Sequence, residues 1–120
     1  MNLEEVRDYC LSLPNTTESF PFEKFPSGKN VLVFKVENKM YAMLILDPDK
    51  PRLSLKCDPE IKHELQNRYD SVRESREKHW IDIYIHGDVP GQEIKSLILS
   101  SFWLVINKLP QKLRSKYKTN

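Results

Sequence analysis

The sequence predicts an α+β fold in which an antiparallel sheet has its helices packed on one face. Residues 31–36 and 40–46 are apolar segments joined by a short polar turn, and the strands of such a hairpin are antiparallel. Residues 80–85 alternate between isoleucine and other side chains, which is the period of a half-buried strand. Residues 90–109 repeat apolar side chains at helical spacing. The full predicted order is helix, hairpin, strand, helix, strand, helix.

The N-terminal region predicts one helix and a connecting segment. Asn2 is followed three residues later by Glu5, so a capping box is predicted to open the helix, and Pro14 is predicted to end it. Residues 15–30 are rich in Pro, Ser, Thr and Asn and predict a connection with room for a short edge strand. The aromatic side chains of this connection are expected to pack on the core: Phe20, Phe22 and Phe25.

The middle of the chain predicts a hairpin turn, a further strand and a second helix. Asn38 can adopt the positive φ that a tight hairpin turn requires. Residues 52–57 alternate as a strand, Asp58 and Pro59 are typical of a helix cap and first position, and the polar residues 70–78 predict a loop. The side chains expected to face the core are Leu53, Leu55 and Cys57 in the strand and Ile61, Leu65 and Tyr69 in the helix.

The last helix is predicted to open at Val89-Pro90 and to run to about Leu109. Its main apolar stripe is Ile94, Ile98, Phe102, Val105 and Leu109. Leu99, Trp103 and Ile106 widen the apolar arc beyond the ~100° that a helix on a sheet needs. The excess is buried either by the chain itself or by a partner protein. We expect the first, and therefore a monomer with Trp103 mostly covered by its own chain.

Length, charge and cysteine content bound the class of protein. The 120 residues fit a single domain with a net charge of +2. The segment after Glu93 contains six Lys and Arg residues and no acid, and a basic tail is predicted from about residue 110. No apolar run approaches the ~20 residues that span a bilayer, and the acidic N-terminus lacks a signal-peptide core. Cys10 and Cys57 stand in no metal or redox spacing, so we expect a cytoplasmic protein without membrane association.

No motif for catalysis or metal binding is present. The sequence lacks a Gly-x-Ser-x-Gly elbow, a P-loop and a Gly-rich dinucleotide turn. His79 and His86 bracket one strand and lie roughly 23 Å apart at ~3.3 Å per residue, so they cannot share an ion. His63 has no second ligand at metal spacing. Cys57 precedes a helix, which lowers a thiol pKa, but its inward phase favours a buried structural role. We expect no enzyme, no metal site and no cofactor.

The outward positions of the predicted strands combine basic and aromatic side chains. They are Lys35, Tyr41, Arg52, Ser54, Lys56, Trp80, Asp82 and Tyr84. Lys and Arg interleaved with Trp and Tyr are typical of surfaces that contact phosphates and stack on bases. Cross-strand pairs of charged and aromatic residues also stabilise exposed sheets, so a purely structural interpretation stays open.

Several longer segments resemble one family. They are LSLKCDPE (53–60), EKHWIDIYIHGDVP (77–90), SSFWLV (100–105) and KLPQKLR (108–114), after VFKVENKMYAML (33–44). Together they resemble the MmcQ/YjbR family of small bacterial proteins over nearly the whole chain. The resemblance implies an antiparallel α+β fold likened to frataxin and CyaY, and a DNA-binding label. The positions matching the family motifs K-x-D-P and K-H-W are Lys56, Asp58 and Pro59, and Lys78, His79 and Trp80.

Three hypotheses of function follow. The leading one is a non-catalytic DNA-binding module. Its expected contact residues are Lys56, Lys78, His79, Trp80, Tyr84, Lys112 and Arg114. The second is a protein-interaction module that uses the last helix. The third, suggested by the frataxin likeness, is a metal-handling protein that uses Glu4, Glu5 and Asp8.

Overall fold

A computed structural model describes residues 1–117, which form a six-stranded antiparallel sheet and four α-helices. The strands are β1 (Thr17–Ser19), β2 (Val31–Val36), β3 (Lys39–Ile45), β4 (Arg52–Lys56), β5 (Val72–Glu74) and β6 (Trp80–Tyr84). The helices are α1 (Leu3–Ser12), α2 (Pro59–Arg68), α3 (Gly91–Ile106) and α4 (Gln111–Arg114). The strand order is β1-β2-β3-β4-β6-β5, and every neighbouring pair is antiparallel. The predicted α+β fold with an antiparallel sheet is confirmed.

One hydrophobic core lies between the inner face of the sheet and the helices. α3 contacts β2, β3 and β4, and α1 packs beside α3. The predicted inward side chains of β4 and β6 are buried, as is the main stripe of α3, because alternating strand positions and one helix face meet there. The fully buried apolar side chains at this contact include Leu53, Leu55, Ile81, Ile83, Ile94 and Ile98.

Two local signals act as the sequence predicted. Glu5 N–H donates to Asn2 Oδ1 at 2.8 Å and Asn2 N–H donates to Glu5 Oε1 at 3.1 Å, which completes the capping box of α1. Glu37 and Asn38 both have positive φ, at 48° and 66°. A two-residue turn with positive φ at both positions matches the twist of the flanking strands, so it fixes the β2–β3 hairpin.

Tyr41 does not lie on the outer face of the sheet, and that prediction is wrong. The β2–β3 register shifts between Phe34, opposite Ala42, and Lys35, opposite Met40, so Tyr41 is an additional residue in β3. This bulge directs Tyr41 into the core, where its ring meets the edge of Phe102 at a centroid distance of 5.4 Å. The Tyr41 hydroxyl donates to the Cys10 carbonyl at 3.1 Å, which satisfies it in the interior.

The polar segment 70–78 is not wholly a loop, because Val72–Glu74 forms β5 at the sheet edge. Asp88 binds the two residues that precede this strand. Its carboxylate accepts the backbone N–H groups of Asp70 and Ser71, each at 2.9 Å, and the Ser71 hydroxyl at 2.5 Å. These hydrogen bonds lower the pKa of Asp88 to about 2. A short strand with one buried apolar residue is too brief for an alternation pattern to reveal.

Three apolar side chains predicted to face the core are exposed. Phe25 is 61% exposed and Phe20 is 40% exposed, so the connecting segment does not bury its aromatics as predicted. Ile61 of α2 is 46% exposed, whereas Lys62 beside it is buried. α2 packs against β5, and the face turned that way carries Lys62 and Leu65, so Ile61 lies on the flank that borders α3.

Candidate nucleic-acid interface

The candidate site lies at one end of the sheet, where β4 ends, β6 begins and α3 reaches its C-terminal half. Ser101 of α3 joins these elements although it is fully buried. Its hydroxyl donates to the Tyr41 carbonyl at 2.5 Å and accepts the Lys56 N–H at 2.9 Å. These two hydrogen bonds connect α3 to β3 and to the last residue of β4, and they fix the backbone position from which the Lys56 side chain extends.

Lys56 and Trp80 are the last cross-strand pair of β4 and β6. The Lys56 ammonium lies 5.8 Å from the centre of the Trp80 ring, a cation–π distance. Both side chains are half-buried, so each keeps an exposed part. An ammonium beside a half-buried indole ring offers one partner for an anion and one for a planar ring.

Two further lysines lie close enough to affect Lys56. Burial lowers the pKa of Lys56, and the positive charges of Lys108 and Lys39 lower it further. Lys39 begins β3 and Lys108 follows α3, and both are exposed. We call these three residues the lysine cluster. Among residues 1–117, no carboxylate lies within 4.0 Å of an ammonium of the cluster, so none of the three lysines forms an ion pair there.

A cavity of about 210 Å³ lies beside the lysine cluster. Lys56, Lys108, His79 and Trp80 line it, and Asp58 and Glu77 supply the acidic part of its wall. Asp58 occupies the N-cap position of α2, but its side chain makes no capping hydrogen bond. The cavity therefore brings together three of the predicted contact residues, Lys56, His79 and Trp80, and adds Lys108.

Tyr84 lies apart from this group. It is four residues along β6 from Trp80, or about 13 Å, and it pairs with Arg52. Asp82 lies between the two aromatic residues, where it accepts a hydrogen bond from Ser54 and forms an ion pair with Arg52 at 3.7 Å. The middle of the outer face is thus internally paired, and the basic aromatic surface does not extend along it as one strip.

Lys78 is exposed on the turn that leads into β6. Lys62, which was not among the predicted site residues, holds this turn in place. Lys62 is buried at 5% exposure, and its ammonium lies 2.6 Å from Glu74 and donates to the carbonyls of Glu77 and Lys78 at 3.4 and 3.3 Å. Its spacing of three residues from the buried Leu65 is the signal that could have identified it.

Lys112 and Arg114 lie on α4, just beyond the end of α3, and both are exposed. Arg114 donates to the Asn107 carbonyl at 3.4 Å, a long contact that holds it near the α3 terminus. The segment predicted as a basic tail is folded through Tyr117, whose hydroxyl donates to Glu37 at 2.5 Å. Lys118, also counted in that tail, lies outside the described residues.

Lys39 and Lys108 were not among the predicted contact residues. No local pattern marks them, because Lys39 is the first residue of a strand and Lys108 follows a helix. Only the topology brings them together. The β2–β3 turn, the end of β4 and the end of α3 meet at the same end of the sheet.

The cysteines and the possible metal ligands are the other residues considered for chemistry. Burial raises the pKa of the Cys57 thiol to about 11 and that of Cys10 to about 12, so both stay protonated at neutral pH. Across residues 1–117, no three His, Cys, Asp or Glu side chains are grouped so as to hold a metal ion. Over the same range, no helix combines the length and apolar character needed to cross a membrane.

Fold and site together define a small α+β domain with a lysine-lined aromatic cavity at one end of an antiparallel sheet. The YjbR family model matches residues 11–104, and the chain belongs to the YjbR family. The family predicted from the sequence motifs is thereby confirmed.

Curated relatives and solved structures agree with this assignment. The chain is 29% identical to protein YjbR of Escherichia coli K12 over 117 residues, covering 95% of each chain. It is 27% identical to protein YbdF of Escherichia coli O157:H7 over 112 residues, covering 91% of this chain and 88% of that protein.

The fold is similar to the crystal structure of Deinococcus radiodurans protein DR2400, described with a DUF419 domain. That match has a TM-score of 0.84 and 32% identity, and it covers 96% of this chain and 86% of the other. A crystal structure of a Pseudomonas syringae protein matches with a TM-score of 0.72 and 28% identity, over 87% of this chain and 98% of the other.

Proposed function

We propose that this protein is a non-catalytic nucleic-acid-binding module, and that DNA contacts it at the lysine cluster and Trp80. The observation that carries the proposal is a cluster of three lysines, none with a described carboxylate within 4.0 Å, one of which has its ammonium 5.8 Å from the centre of the Trp80 ring. Phosphate neutralises such a cluster and releases counterions from the nucleic acid, while a base stacks on the ring.

The arrangement favours an unpaired strand over an intact duplex. Trp80 can stack on a base only when that base is not already stacked and paired within a helix. The cavity beside Trp80 has room for part of one nucleotide, at about 210 Å³. Lys78, Lys112 and Arg114 lie around this end of the sheet and contact flanking phosphates in the proposal. Tyr84, about 13 Å from Trp80, contributes only to a longer strand.

Fluorescence anisotropy tests the proposal with labelled single-stranded and duplex DNA at low salt. We expect binding of the single strand below about 100 μM, where even non-specific binders register. Lys56→Ala and Lys108→Ala should each weaken it several-fold. Lys50→Ala is the control, because Lys50 is exposed at the opposite end of β4 and loses the same charge. Absence of binding, or an equal loss in the control, would contradict the proposal.

The CyaY-like relationship, a cytoplasmic location and a monomeric state stay predictions. The frataxin-like metal-handling role stays one as well. A calorimetric titration with Fe(II) or Mn(II) tests that role, and heat that disappears in a variant of Glu4, Glu5 and Asp8 would favour it over nucleic-acid binding.

A further inference from the structure

A second concave surface lies between α2 and α3, and the segment 56–58 lines both this surface and the lysine-lined cavity. It encloses about 370 Å³. Its walls are largely apolar and include Ile61 of α2 and Leu97, Leu99, Trp103 and Leu104 of α3. We call it the α2–α3 groove. Ile61 is 46% exposed and Leu99 is 37% exposed, so the groove opens to solvent.

The groove accounts for the excess apolar arc of α3. The main stripe of that helix and Ile106 are buried in the core, but Leu99 is exposed and Trp103 is only half-buried. Leu99 and Trp103 are four residues apart and therefore share one flank of the helix. Ile61 borders the same flank from α2. Two adjacent helices thus present a continuous apolar concavity, the surface on which amphipathic helices dock in helix-in-groove recognition.

Charge at one end of the groove indicates the kind of partner. Lys56 and Asn107 line that end, Lys108 follows directly, and Arg114 is held near the Asn107 carbonyl. Asp58 is the acidic residue that lines the groove. Within residues 1–117, none of these three cations has a carboxylate within 4.0 Å, so an acidic group on a partner meets no competing ion pair there.

We propose that the α2–α3 groove binds an amphipathic helical segment of a partner protein, with apolar anchors at helical spacing and acidic side chains directed at Lys56, Lys108 and Arg114. Helix α1 of a second copy is a poor occupant, because Leu11 is the only large apolar side chain that this acidic helix exposes among the described residues. This proposal does not rest on the proposed nucleic-acid function, although the two surfaces share Lys56 and Lys108.

A peptide-display selection tests the proposal with the full-length protein as bait. The probe is a library of random 18-residue peptides. We expect enrichment of sequences with apolar residues at i, i+4 and i+7 and a cluster of Asp or Glu at one end. Leu99→Glu should reduce that enrichment at least tenfold. Leu11→Glu is the matched control, since Leu11 is also 37% exposed but lies on α1, and it should leave the enrichment intact.

Each other outcome overturns the proposal. These outcomes are no enrichment, enrichment of sequences without acids, or equal enrichment on the Leu99→Glu bait. A concentration-dependent dimer that Leu99→Glu dissociates would assign the groove to a second copy. Ile61→Gln is a milder variant that guards against misfolding, with circular dichroism as the check. It should lower peptide binding tenfold and leave DNA affinity unchanged, so failure of this proposal is distinguishable from failure of the nucleic-acid function.

Discussion

The ammonium of Lys56 lies 5.8 Å from the centre of the Trp80 ring, across the last residue pair of β4 and β6. Strand pairing places the two residues opposite each other, and Ser101 fixes the strand end from which Lys56 extends. The pair places a cation and a stacking surface within the span of one nucleotide. Its consequences can be measured separately from those of the surrounding fold.

Stacking of a base on Trp80 should quench its fluorescence. The chain has two tryptophans, so the Trp103→Phe variant isolates Trp80. Titration of this variant with an oligo(dT) single strand should quench emission, with the same Kd as anisotropy gives, because a base replaces solvent at the ring face. The Trp80→Phe variant, which keeps Trp103, should show little quenching. Equal quenching in both variants would place the strand elsewhere.

Ser101→Ala should destabilise the protein by about 1–3 kcal/mol, because it removes the only side-chain partner of the buried Tyr41 carbonyl and of the Lys56 N–H among the described hydrogen bonds. Urea denaturation measures the free energy of unfolding. Ser100→Ala is the matched control, since Ser100 is exposed at the preceding position of the same helix and should change stability by less than about 0.5 kcal/mol. Similar losses in both variants would refute the role given to Ser101.

Asp88 should make the protein less stable in acid. Hydrogen bonds from Ser71 and its neighbours lower the pKa of Asp88 from 3.8 to about 2. A lowered folded-state pKa contributes stability that is fully present above pH 3.8 and is lost as the pH falls through about 2. Asp88→Asn should therefore lower the denaturation midpoint at pH 7, with a difference from wild type that shrinks toward pH 2.

The control for that measurement is Asp49→Asn. Asp49 is exposed, and its side chain makes no hydrogen bond or ion pair with residues 1–117. Its substitution should leave the pH profile unchanged. A difference in denaturation midpoint between wild type and Asp88→Asn that stays constant from pH 7 to pH 2 would show that the Asp88 charge does not stabilise the segment that leads into β5.

Gly87→Ala should cost about 1–3 kcal/mol, as overpacking typically does. An added Cβ would overlap the Ser71 side chain, with the hydroxyl oxygen at 2.6 Å, and would lie 3.1 Å from the Tyr84 carbonyl. Gly91→Ala provides the contrast, because its Cβ would meet the flexible Met1 side chain at 3.3 Å and the Met1 nitrogen at 4.0 Å, and alanine favours the helix. Thermal denaturation should show Gly91→Ala between unchanged and about 1 kcal/mol more stable. The reverse order of the two variants would contradict the packing described.

Much of the fold follows from local signals in the sequence. Asn2 and Glu5 predicted the start of α1, Asn38 predicted the hairpin turn, and the isoleucines of β6 predicted its inward face. These features depend on residues close together in the chain, where side-chain spacing and backbone preference decide the outcome. They predict where β4 ends and where β6 begins, and therefore the positions of Lys56 and Trp80, from the sequence alone.

The errors occur where the outcome depends on distant parts of the chain. Alternation assigned Tyr41 to the outer face because it assumes an unbroken ladder, and the bulge in β3 reverses it. Lys62 replaced Ile61 on the buried side of α2 because Glu74 lies within reach of its ammonium. Lys39 and Lys108 became neighbours of Lys56 through topology. The candidate site was thus only partly predictable.

The salt dependence of DNA affinity tests the central claim most directly. Each phosphate contact with a single strand contributes about 0.7 to the slope of log K against log salt concentration. The double variant Lys56→Ala/Lys108→Ala should therefore lower the magnitude of the slope by about 1.4. The control Lys29→Ala/Lys50→Ala removes two exposed lysines from the opposite end of the sheet and should keep the wild-type slope. An unchanged slope in the Lys56/Lys108 variant, or an equal decrease in the control, would contradict binding at the lysine cluster.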